Sequence, residues 1–98
     1  MRSVNNKFAT LQINGEAKTL TVADLLKEAV NVVPEKGFTV SDIQSRLKVL
    51  SVINTAKENN DTALSFEDAD FKIACDCVAA MRWAVLDPFI IEFSEMFK

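Results

Sequence analysis

Histidine is absent from this chain of 98 residues, and only two glycines, two prolines and two cysteines occur. Without histidine, a nucleophilic serine, threonine or cysteine would need a carboxylate or a lysine as its general base, and the sequence places no such pair together. The two isolated glycines, Gly15 and Gly37, exclude a glycine-rich phosphate-binding loop. These absences argue against an enzyme, and we predict that the protein is not one.

The two cysteines, Cys75 and Cys77, are separated by a single residue. In a helix, side chains at this spacing point about 200° apart, so they can neither form a disulfide nor share a metal ion. We therefore expect two small hydrophobic residues, and no metal or other cofactor.

The chain also contains no long run of charges of one sign and no long apolar run free of charges. The net charge is −3, and the charges do not cluster, which argues against a nucleic-acid partner. The longest apolar-rich stretch, residues 73–91, contains Asp76, Arg82 and Asp87, so it is not predicted to span a membrane. The first residues lack the apolar region of a signal peptide, and a cytoplasmic protein is expected.

What the chain does have is one short pattern three times: LTVADLL at 20–26, FTVSDIQ at 38–44 and LSFEDAD at 64–70. In each, an apolar residue precedes a Thr or Ser, and an Asp follows three positions later. Such a hydroxyl can cap the first turn of a helix, and the Asp lies near the positive end of the helix dipole. The pattern thus predicts three helix starts, capped by Thr21, Thr39 and Ser65.

The resulting prediction is a mainly α fold in one domain, residues 1–98, with a four-helix core. The helices are expected at residues 22–33, 40–58, 66–86 and 88–97, the last one capped by Asp87 and beginning with Pro88. A short N-terminal β-hairpin is expected at residues 8–20, because Asn14-Gly15 favours a two-residue turn between β-prone segments.

Two of these helices carry more apolar surface than one packing contact needs. The second has two strips separated by polar residues, which are Ile43, Leu47 and Leu50 on one side and Val49, Val52, Ile53 and Ala56 on the other. The third is apolar nearly all round. Two apolar strips on one helix predict two packing partners. One partner is the protein's own core, and a second copy of the chain would cover the remaining strip, so a homodimer is expected.

The C-terminal helix is the predicted site of partner binding. Its apolar face, together with the tryptophan before it, comprises Trp83, Phe89, Phe93, Met96 and Phe97. A helix of under three turns is not stable alone, so another surface must bury this face. That surface is either a groove of another protein or the protein's own core, and the sequence leaves both open.

Two segments resemble known site motifs. GFTVSDIQSRLKVLS resembles the first half of a DNA-binding helix-turn-helix, which would need a turn after Leu47 and a basic recognition helix. KENNDTALSFED resembles a calcium-binding EF-hand loop, but Lys57, Thr62 and Asp68 replace the first ligand, the turn glycine and the final Glu. We therefore expect no calcium at this loop.

The segments FTVSDIQSRLKVL and LSFEDADFKIACDCVAAMRWAVLDPFIIEF are similar to short uncharacterised proteins of tailed bacteriophages and prophages. The resemblance covers about two thirds of the chain and contains no catalytic or ligand-binding motif. It implies a small protein that assembles, or that binds and diverts a larger host protein such as an enzyme. The expected function is thus protein–protein interaction as a phage-type inhibitor or adaptor. The alternatives are a self-assembling structural or assembly-chaperone protein and a helix-turn-helix DNA-binding regulator.

Overall fold

The computed structural model describes residues 1–13, 15–83 and 86–98. Within these residues, eight elements follow one another along the chain. They are β1 (Arg2–Asn5), β2 (Phe8–Ile13), β3 (Glu16–Thr21), α1 (Val22–Asn31), α2 (Val40–Asn59), β4 (Ala63–Phe66), α3 (Asp68–Ala80) and α4 (Pro88–Met96).

The prediction of a mainly α fold was wrong, because the protein is α+β. Two separate two-stranded antiparallel sheets accompany the four helices: β2 pairs with β3, and β1 pairs with β4. The second sheet joins the start of the chain to the segment between α2 and α3, with Val4 opposite Leu64. Both of these side chains are buried in the core, so the sheet contributes to the packing.

The first two repeats form the predicted helix caps. The Thr21 hydroxyl accepts a hydrogen bond from the Asp24 N–H at 3.2 Å, and the Asp24 carboxylate accepts one from the Thr21 N–H at 3.1 Å. Thr39 and Asp42 repeat this arrangement at the start of α2, at 3.0 and 3.2 Å. An Asp therefore completes the reciprocal capping box as a Glu would.

The third repeat is not a cap, and this corrects the start of the predicted helix 66–86. Ser65 lies in β4 opposite Ser3 of β1, and its neighbours Leu64 and Phe66 point into the core. Helix α3 begins at Asp68 instead, after Glu67, whose side chain makes no capping hydrogen bond. Pairing with β1 fixes an extended backbone here, which a local capping pattern cannot override.

The same helix also ends earlier than predicted. It stops at Ala80, and Met81 has an extended backbone with ψ of 137°. Residues 84 and 85 of the predicted span lie outside the described residues. Helix α2, in contrast, continues without a break from Val40 to Asn59, so the turn after Leu47 that a helix-turn-helix requires is not present.

The N-terminal hairpin has the pairing that a two-residue turn imposes. Leu11 lies opposite Lys18 and Ile13 opposite Glu16. Asn14, the first residue of the predicted turn, lies outside the described residues, and Gly15 has the positive φ of +81° that favours glycine. Leu11 is buried, so the hairpin covers one side of the core.

The core lies between the helices and the two sheets. Helix α1 packs against both α2 and α3, and α2 also packs against β4. Helix α4 starts at the predicted cap, where the Asp87 carboxylate accepts a hydrogen bond from the Phe89 N–H at 2.9 Å. Among the described helices, none is both long and apolar enough to cross a bilayer.

Candidate functional site

The five residues predicted to bind a partner lie together, but mostly inside the protein. Phe89, Phe93 and Phe97 are buried in the core, whereas Trp83 and Met96 are half-buried and pack against it. The structure therefore has the C-terminal face folded back on its own chain, which is one of the two arrangements that the sequence left open.

Aromatic contacts hold α4 in this position. The Phe93 ring lies edge-on to Trp83 with centroids 5.6 Å apart and contacts Phe97 at 5.2 Å. Phe97 in turn contacts Phe66 of β4 and Phe71 of α3, at 6.2 and 5.8 Å. A direct partner contact by the buried phenylalanines would require α4 to leave the core, so a partner surface on the folded protein must lie elsewhere.

The exposed face of α2 supplies such a surface. Val40, Ile43 and Leu47, which we call the α2 strip, keep 71%, 43% and 57% of their surface exposed. Their spacing of three and four residues places them on one side of the helix. Val32 and Val33, which follow the end of α1, are also exposed. Exposed apolar residues grouped on one face of a helix are typical of interaction sites.

The opposite side of α2 has its partner within the chain. Val49, Ile53 and Ala56 are buried in the core, as expected for one of the two strips predicted from the sequence. In the other strip, Ile43 and Leu47 stay exposed, whereas Leu50 is half-buried against the core. The Ile43–Leu47 side of α2 is thus the one with an unfilled packing contact.

An apolar groove runs beside the α2 strip, between α2 and the end of α1. Its volume is about 220 Å³, and its wall includes Val30, Phe38, Ile43, Leu47 and Leu50. That volume can take one large apolar side chain from another molecule, as happens when an amphipathic helix lies in a groove.

Arg46 fixes the geometry of this groove. Its Nη1 donates hydrogen bonds to the carbonyl oxygens of Val30 at 2.8 Å and Val32 at 3.2 Å. These carbonyls belong to the last turn of α1 and its C-cap, where a cation is favoured by the helix dipole. The guanidinium group also lies 4.8 Å from the centre of the Phe38 ring. No local sequence pattern indicates this role, because the residues whose carbonyls accept these hydrogen bonds lie 14 and 16 positions away.

Arg46→Met is expected to lower the free energy of unfolding by about 1–2 kcal/mol, because it removes two charge-assisted hydrogen bonds and a cation–π contact. Lys48→Met is the matched control, since Lys48 is exposed on the same helix; it should change stability by about 0.5 kcal/mol or less. Urea unfolding of both variants measures these changes in the free energy of unfolding. Equal costs would mean that Arg46 does not hold α1 and Phe38 in place.

The described titratable groups give little basis for covalent chemistry. Burial raises the pKa of both thiols, Cys75 and Cys77, and the neighbouring Asp76 carboxylate raises it further. Both thiols are therefore protonated at neutral pH and poorly nucleophilic. Among residues 1–13, 15–83 and 86–98, no group of three or more Cys, Asp or Glu side chains is placed to hold a metal ion.

Comparison of the chain with protein families, curated proteins and solved structures found no match.

Proposed function

We propose that this protein is a non-enzymatic protein–protein interaction module, a small phage-type inhibitor or adaptor that acts in the host cytoplasm on a larger host protein. Its contact surface is the α2 strip with the adjoining groove, and the partner element is an amphipathic helix. The observation that carries the proposal is the exposure of Val40, Ile43 and Leu47 on a helix whose opposite face is already packed.

The chemistry of the groove supports a helix as the partner element. Its wall is almost wholly apolar, so it offers few hydrogen bonds to an extended peptide. An amphipathic helix instead presents apolar side chains at the spacing of the strip and satisfies its own backbone hydrogen bonds. The Arg46 guanidinium already donates hydrogen bonds to carbonyls of α1. It therefore does not have to move when a helix binds in the groove.

Site-specific crosslinking tests this proposal. A photo-crosslinking amino acid is placed at Leu47 and, as a matched control, at Ile91, which is also exposed but lies on α4. In a bacterial lysate, position 47 should give a discrete crosslinked product that unlabelled protein competes away and that Val40→Asp abolishes. Position 91 should give none. The absence of a product at position 47, or equal products at both positions, would contradict the proposal.

A second candidate, self-association, is favoured by the spacing of α2. Val40, Ile43, Leu47 and Leu50 follow one another at intervals of three, four and three residues, which is the seam pattern of paired helices. Two copies could then cover each other's strips in a symmetric homodimer.

Light scattering across a range of micromolar concentrations tests the homodimer. It should give a dimer for the wild-type chain and a monomer for Leu47→Asp. In the crosslinking experiment, the homodimer would appear as a product of twice the protein's own mass. A wild-type monomer at every concentration would exclude self-association and leave the host protein as the partner.

A further inference from the structure

A second cavity, distinct from the α2 strip, lies between the β2–β3 hairpin, α1 and the segment after α3. This cleft has a volume of about 510 Å³, within the range of small-molecule sites, about 300–1,000 Å³. Buried Leu11 and Leu25 lie at its base, and half-buried Leu20, Met81 and Trp83 line its walls. A ligand in the cleft would remove these partly exposed apolar walls from water.

Trp83 gives the cleft a rigid aromatic wall. Its ring lies at 82° to that of Phe93, with centroids 5.6 Å apart, and Phe93 is buried. The indole is thus fixed on its inner side by the core. A bound apolar chain or ring would pack against its outer side.

The charges around the cleft favour an anion. Lys18, Lys27 and Lys57 line it together with Asp24 and Glu28. Lys57 is already neutralised, because its ammonium lies 2.6 Å from the Asp24 carboxylate.

That carboxylate is ionised at neutral pH. Burial acts to raise the pKa of Asp24, but the hydrogen bonds from Lys57 and Thr21 outweigh it and leave the pKa below its usual value. Two ammonium groups, those of Lys18 and Lys27, then face one remaining carboxylate, Glu28. Neither lysine makes an ion pair with another described residue. The cleft is locally positive on a chain whose net charge is −3.

We propose that this cleft binds a small amphiphilic anion, with its aliphatic or aromatic body between the hairpin and Trp83 and its carboxylate near Lys18 and Lys27. The apolar walls supply the affinity, and the two ammonium groups select the sign of the headgroup. This makes the protein a ligand-binding protein in addition to an interaction module, at a site separate from the α2 strip.

Trp83 reports on the proposed site directly, because it is the single tryptophan and the chain has no tyrosine. Decanoate, titrated below its micelle-forming concentration, should change the tryptophan emission and saturate. Decyltrimethylammonium, which has the same chain length and the opposite charge, should bind at least about tenfold more weakly. Calorimetry run in parallel detects binding that leaves the emission unchanged.

Charge-reversal variants locate the headgroup. Lys18→Glu/Lys27→Glu should weaken decanoate binding about tenfold or more. Lys36→Glu/Lys48→Glu changes the net charge equally but lies outside the cleft, so it should bind decanoate as the wild-type chain does.

Three results would overturn the proposal: no saturable binding by either method, equal binding of the two amphiphiles, or equal weakening by the two double variants. Circular dichroism of each variant confirms that the fold is retained.

Discussion

Phe93→Ala is expected to lower the free energy of unfolding by about 3–5 kcal/mol, a typical cost of emptying a fully buried aromatic site. Phe93 is 0% exposed and joins Trp83 to Phe97, so its loss leaves a cavity between α4 and the segment after α3. Urea unfolding followed by far-UV circular dichroism measures the cost. Because native domains are stable by only about 5–15 kcal/mol, this one change removes a large share of the stability.

Ile91→Ala is the control on the same helix. Ile91 is 63% exposed, so its truncation should cost less than about 1 kcal/mol. If Phe93→Ala left stability unchanged, α4 would not be packed on the core, and the C-terminal face would again be the first candidate for partner binding.

Leu64→Ala is expected to cost about 2–5 kcal/mol, because Leu64 is buried in β4 opposite Val4. The matched change is Leu47→Ala, since Leu47 is a leucine exposed on the α2 strip. It should cost less than about 1 kcal/mol of unfolding free energy and weaken partner binding instead.

Chemical unfolding at low protein concentration measures the loss of folding stability separately from the loss of binding. At high concentration, self-association would add to the apparent stability. A large loss of stability in Leu47→Ala, equal to that in Leu64→Ala, would show that the α2 strip is already packed. The proposed contact surface would then be wrong.

The candidate site was only partly predictable. The sequence showed that α2 carries two apolar strips, because the spacing of the strip residues is a local property of the helix. It could not show which strip would remain exposed, since that depends on where β4 and α1 lie. The role of Arg46 was missed for the same reason, as its partners Val30 and Val32 come close only through the packing of α1 on α2.

The sequence by itself determined the features that are set within a few residues. The caps at Thr21, Thr39 and Asp87 are such features, because each depends on hydrogen bonds between residues two or three positions apart. The presence of the β2–β3 hairpin is another, since Asn14-Gly15 favours a two-residue turn, although the sequence left its register open and the structure decided it.

Only the tertiary structure decided the rest. The pattern around Ser65 is the same as that around Thr39, yet Ser65 lies in a strand because β1, about 60 residues earlier in the chain, supplies the hydrogen bonds that hold it extended. Phe97 of the C-terminal aromatic face likewise packs on Phe66 and Phe71 of its own chain. A strand pair and a covered face both need contacts between distant segments, and local propensity carries no information about those contacts.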